Sequence, residues 1–191
     1  MQYTRVDRRT YTARGSFTHC AKAKGVIQET MPIQELQNYR YRGARALVLL
    51  QDKAMRELLP VWRRAMAARI RLPETKDPNY ASLQELLHHA LRAARGYMIW
   101  MCEKMGLPDP EIDPAPEVDR VEQKADRYLE HILQRWRLPL VDVDESRFGE
   151  THKTRWNEDM SCEGMLEHAV MHPIRHRFQL EELMESQSKG S

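Results

Sequence analysis

His168-Ala169-Val170-Met171-His172-Pro173-Ile174-Arg175-His176-Arg177-Phe178-Gln179 places three imidazoles at a spacing of four. On a helix, residues four apart stack on one face. His172 and His176 therefore offer two nitrogens to one point from a rigid support. Working outward, Met165, Ala169, His172, His176, Leu180 and Leu183 form one seam of a helix predicted from about Ser161 to Glu185. The two histidines stand where apolar residues belong, which argues against a wet helix face. Pro173 lies between them and either kinks the helix or frees a carbonyl. Ser186–Ser191 read as a frayed tail.

The remainder has the same periodicity. Apolar residues recur at three and four, almost nothing alternates with a period of two, and the chain reads as all-α. A first helix is expected from about Tyr41 to Ile70, or from as early as Ile33. Its stripe is Leu47, Leu50, Ala54, Leu58, Trp62 and Ala65, with Pro60 inside it and Pro73 beyond its end. A second begins at Ser82, where Ser82-Leu83-Gln84-Glu85 has the form of a capping box. Leu86, Ala90, Ala94, Tyr97, Met101 and Met105 line it, and Gly106-Leu107-Pro108 stops it. Pro108, Pro110, Pro114 and Pro116 make the next connection stiff and extended. A third helix follows from about Pro116 to Arg137, with Val118, Val121, Ala125, Leu129, Ile132 and Trp136 inward, an acidic first turn and a basic last turn. Leu138–Asp159 reads as an irregular polar segment whose short apolar runs pack over one end of the helices; a loop of that length is usually functional or mobile. These elements predict a four-helix bundle of the up-down-down-up type with long crossover connections.

The 191 residues have the length of one domain with a real core. Residues 31–187 are read as that domain, and residues 1–30 as a basic, weakly ordered or disordered N-terminal extension. The extension carries Arg5, Arg8, Arg9, Arg14, Lys22 and Lys24 against Asp7 and Glu29. The formal net charge of the whole is +2, so the main body is slightly acidic. Such a body is a poor partner for a phosphate backbone, and no nucleic acid is expected. No apolar run is long enough for a membrane span. Cys20, Cys102 and Cys162 are odd in number and lack a CxxC spacing, which fits a reduced, cytoplasmic protein. Cys102 reads as a core residue. Cys162, near a helix N-terminus, is the one candidate for a lowered thiol pKa.

A histidine pair needs a third ligand to become a metal site of the open, three-ligand kind. His88 and His89 lie on the second helix; His89 points toward its apolar stripe and His88 sits at the edge, an ambiguity of one residue. His89, His172 and His176 are the candidate ligands. His168 is a pocket liner or a half-exposed structural histidine. Glu163 and Glu167 could hydrogen-bond ligands, although an acid at Glu163 also suits the helix dipole. Arg177 and Gln179 are read as pointing away from the His176 face, toward helix packing or a subunit contact. Arg92, Arg95 and Arg175 are candidates for anion contact.

The run His168-x3-His172-x3-His176-Arg177-x-Gln179, together with Glu85-x3-His89, resembles the signature segments of the DinB-like (YfiT-like, DinB/maleylpyruvate isomerase type) four-helix bundle proteins. The resemblance spans roughly Tyr41 to Glu185. It implies a divalent metal (zinc, nickel or iron) held by His89, His172 and His176, and a homodimer. It also implies a small-molecule substrate, with a low-molecular-weight thiol in a metal-dependent S-transferase or hydrolase type of reaction. The family usually has glycine where this chain has Phe178, which narrows the space beside the metal or repacks the helix. Two rival metal sites fit less well. A di-iron carboxylate site needs two Glu-x-x-His motifs, and only Glu85–His88 is present. A His-Glu-x-x-His metalloprotease helix fails because position 169 is alanine. The alternative to an enzyme is a non-catalytic, metal-stabilised helical bundle acting as a stress-response binding module.

Overall fold

A computed structural model describes residues 39–189; the expected N-terminal extension, and any helix start near Ile33, lie outside the described residues. Four long helices dominate: α1 (Arg42–Ala67), α2 (Leu83–Lys104), α3 (Val121–Trp136) and α4 (Cys162–Ser188). One antiparallel hairpin precedes α4, formed by β1 (Thr151–Lys153) and β2 (Asp159–Ser161). α1 lies chiefly along α4. α2 lies against both α3 and α4, and α3 also touches α1. One shared core fills the space between them, from Val48, Leu58 and Trp62 through Leu86 and Met98 to Ile132, Trp136 and Leu166. No described helix is long and apolar enough to cross a membrane.

The helix ends follow local chemistry. Ser82 Oγ accepts from the Glu85 amide at 3.0 Å, the predicted cap. α2 ends on Gly106 at φ 59°, with the Leu107 amide bonded to Cys102 O (2.8 Å) and the Gly106 amide to Glu103 O (3.2 Å). That is a Schellman closure. α1 ends the same way but with Arg69 at φ 52° in the left-handed position, a conformation a side chain disfavours. This closure stops α1 at Ala67, three residues before the expected Ile70. α3 begins at Val121, because Val118–Arg120 forms a separate 3₁₀ turn that leaves Val118 half-buried. Leu50, placed on the inner stripe of α1, is 49% exposed. Ala54, Leu58, Trp62 and Ala65 of that stripe are buried, and Val48, Gln51 and Met55 complete the face where Leu50 does not.

The segment expected to be irregular is built. Phe148 is fully buried, its ring 4.9 Å from that of Tyr41, and its carbonyl accepts from the Glu163 amide at 3.0 Å. The hairpin then docks on α2, where Trp100 Nε1 donates to Lys153 O at 3.2 Å. Short strands of three residues give too little alternation to register as a period. The proline-rich crossover is latched as well. Arg95 Nε donates to Ile112 O (2.8 Å), Tyr128 Oη donates to Asp113 O (2.7 Å), and His88 Nδ1 meets Pro116 O at 2.8 Å.

Candidate metal centre

α2 and α4 bring His89, His172 and His176 together. Their ligand atoms all lie within 4.8 Å of one another. His172 is central: its Nε2 is 2.9 Å from His89 Nε2 and 3.2 Å from His176 Nε2. His172 and His176 are buried, and His89 is half-buried. The one-residue ambiguity on α2 resolves through the crossover. His88 is engaged by the Pro116 carbonyl, and His89, 100° further round the helix, faces the cluster.

The electrostatics keep all three imidazoles neutral. Burial lowers His176 to about 4, with the neighbouring His89 adding to the effect. His172 is pushed lower still, first by burial and then by His176 and His89. His89 is lowered by burial and by Arg92. Neutral imidazole is the form that ligates a cation.

The hydrogen-bond inventory of the cluster does not close on itself. Gln179 Oε1 accepts from Tyr80 Oη at 3.0 Å and lies 3.2 Å from His176 Nδ1. An amide oxygen only accepts, so the His176 proton belongs on Nδ1 and its Nε2 lone pair faces inward. His172 Nε2 carries at most one proton to share between two neighbours. His89 Nδ1 is buried with no partner. Three converging nitrogens with too few protons between them fit a shared cation better than a closed hydrogen-bond set.

The other candidates are placed as follows. Gln179 contacts His176 directly, so the expectation that it points away is corrected: it sits three residues beyond His176, one turn on the same side. Arg177 does face away, pairing with Glu57 on α1 and stacking over Phe178, 5.1 Å from its ring. Phe178 is 53% exposed, so it does not narrow the space beside the histidines. His168 bonds Tyr97 Oη through Nε2 at 3.2 Å. Glu163 accepts from Tyr41 Oη, and Glu167 is exposed. Neither touches an imidazole among the described residues. Arg95 is committed to Ile112. Cys162 is buried and that burial pushes its thiol up to about 11, opposite to the lowering its position suggested. Cys102 is buried in the core and raised to about 12 for the same reason.

Two contributors escaped the sequence reading. Tyr80 sits in a 3₁₀ turn after Asp77-Pro78, 96 residues from His176, and reaches it only through the fold. Tyr97 belongs by spacing to the α2 stripe, yet its ring packs edge-on to that of His172 at 5.7 Å while its hydroxyl meets His168. Tyr97 does line α2 with the core residues; spacing alone cannot tell an aromatic packed on a site from one packed on carbon.

No family model, no curated protein and no solved structure matches this chain.

Proposed function

We propose that this protein is a DinB-like, divalent-metal-binding four-helix bundle of the up-down-down-up type, with His89, His172 and His176 as the ligands. The observation that carries the reading is the convergence of three neutral imidazole nitrogens, two pairs of them 2.9 and 3.2 Å apart. Three imidazoles form a donor set that suits zinc, nickel or iron. The chemistry such an ion supplies is Lewis-acid activation of a water or thiol nucleophile. The chain's own residues do the rest. Gln179 and Tyr80 orient His176 from behind, as outer partners of metal-binding histidines do. Tyr97 and His168 hold the neighbouring wall. The reaction class favoured is thiol-dependent S-transfer or hydrolysis of a small molecule.

Metal analysis of protein purified without a histidine tag tests the ligand set. His172→Ala and His176→Ala should each lose the bound divalent metal while the helical circular-dichroism signal stays. Unchanged metal content in both would sink the assignment.

One observation favours a second reading. Among the described residues, no carboxylate is hydrogen-bonded to any of the three imidazoles, so the carboxylate partner that raises the basicity of a catalytic metal's ligands is missing there. A metal-stabilised binding module without catalysis needs none. Turnover of monochlorobimane with glutathione, bacillithiol or mycothiol separates the two. Rates at background with every thiol favour the module.

A further inference from the structure

The histidine cluster has a basic and aromatic margin that the fold does not use. Most arginines near the helices are committed: Arg56 to Asp52 and Glu130, Arg137 to Asp52, Arg177 to Glu57. Arg155 and Arg175 are exposed and make no ion pair or hydrogen bond among the described residues. Arg175 lies three residues beyond His172 and seven beyond His168, on the same side of α4. Arg155 comes from the tip of the hairpin. Its Nη2 lies 2.8 Å from where a Cβ on Gly96 would stand. Gly96 occupies the interior of α2, where glycine is a poor helix former, and its missing side chain is what lets the guanidinium lie against the helix beside Tyr97.

Next to Arg155, Trp156 is 45% exposed with its ring 6.0 Å from that of His168. His168 stacks at 6.2 Å on His172, and Tyr97 stands edge-on to both. Burial raises the Tyr97 phenol to about 12, and the Arg175 and Arg155 charges oppose that rise, so both guanidiniums act on the same hydroxyl. Two uncommitted guanidiniums, an exposed indole and a hydroxyl thus border the wall of the cluster formed by His168 and His172. Guanidinium is the side chain best matched to planar or tetrahedral oxyanions.

We propose that the hairpin tip, α2 and α4 together form a recognition site for a small molecule that carries an oxyanion beside a flat, unsaturated body. Arg155 and Arg175 hold the carboxylate or phosphate; Trp156 and His168 pack on the flat part. The inference deepens the metal-site reading, on which it rests for what the bound molecule is presented to, by naming a substrate class.

The test titrates the full chain, metal-free and zinc-loaded, with benzoate and separately with phenyl phosphate, by calorimetry and tryptophan fluorescence. Trp62, Trp100 and Trp136 are buried, so Trp156 is the tryptophan that reports. Saturable binding of either probe is expected, weakened about tenfold or more in Arg155→Ala and in Arg175→Ala. Trp156→Phe should remove most of the optical signal and leave the calorimetric one. Both arginines are exposed, so these variants should keep their helical signal and their zinc content. Preference for benzoate marks a carboxylate ligand and preference for phenyl phosphate a phosphate. Absence of saturable binding with both probes, or affinities unchanged in both arginine variants, overturns the proposal. A chain that takes up no zinc yet binds a probe through its arginines removes the metal reading alone. A chain that takes up zinc and ignores both probes removes this one alone.

Discussion

α3 and α4 have inner seams of the same geometry and opposite content. Along α3, Val121, Ala125, Leu129, Ile132 and Trp136 are all buried carbon, apart from one indole nitrogen that donates to Ala94 O at 3.2 Å. Along α4, Met165, Ala169, His172, His176 and Leu180 are equally buried, yet the two central positions are imidazoles. Each fully buried aliphatic side chain contributes about 1.5–3 kcal/mol. α4 gives up that contribution twice and adds the cost of dehydrating two polar rings. Helical spacing shapes the fold in both cases; only α3 is filled as stability alone would fill it. The difference teaches that a site can be embedded in a core without altering the pattern that builds the core.

Trp136→Ala should break the α3 side of the comparison. A side chain 1% exposed is lost with its hydrogen bond, and the expected cost is about 3–5 kcal/mol. It should appear as a lower denaturation midpoint with metal content per folded molecule unchanged. His172→Leu should do the reverse on α4, abolishing metal uptake while leaving the metal-free protein as stable as before or more so. A large loss of stability in the metal-free His172→Leu protein would show that the imidazole is a structural member of the core.

Acid sharpens the contrast further. His176 in the fold holds its proton only below about 4, against 6.5 for an ordinary histidine, because of burial. His172 is shifted in the same direction. Between those values the unfolded chain binds protons that the folded chain refuses, so stability falls as pH drops below 6.5. Urea midpoints of metal-free protein at pH 7.5 and 5.0 should therefore differ more in the wild type than in a His172→Leu/His176→Leu variant. Equal differences would show that the fold does not hold these rings neutral.

Gln179→Leu removes the acceptor behind His176. Metal affinity should drop about 10- to 100-fold, without loss of the helical signal, in a competition titration with a chromophoric chelator. The smallest effect belongs to the end of α1. Arg69→Gly relieves a left-handed backbone that Gly106 adopts freely at the equivalent point of α2. It should stabilise by up to about 1 kcal/mol, visible as a raised thermal midpoint with metal binding unchanged.

Much of this was legible in the residues. Ser82 capped where it should, Gly106 closed α2, and the α3 seam filled inward, because caps, glycine closures and apolar spacing act within one or two turns. His172 and His176 fell on the seam for the same reason. Leu50 lies on the spacing stripe yet is exposed, because burial on α1 depends on which faces α3 and α4 cover. Gln179 sits three residues from His176, so helical spacing alone is enough to bring it to the same side. The hairpin was missed because its strands are three residues long.

The sequence by itself determined four helices, the Ser82 and Gly106 boundaries of α2 and the two histidines on the inward face of α4, because each of these follows from interactions between near neighbours in the chain. Only the tertiary structure decided that His89 and not His88 joins the cluster, that Tyr80 reaches His176, and that Arg155 and Trp156 stand over Tyr97 and His168. Those contacts bridge tens of residues. The crossover contact of His88 with Pro116 O and the docking of the hairpin on Trp100 are parts of that arrangement. Long-range packing chooses which face of a helix meets which partner, and spacing along the chain carries no record of that choice.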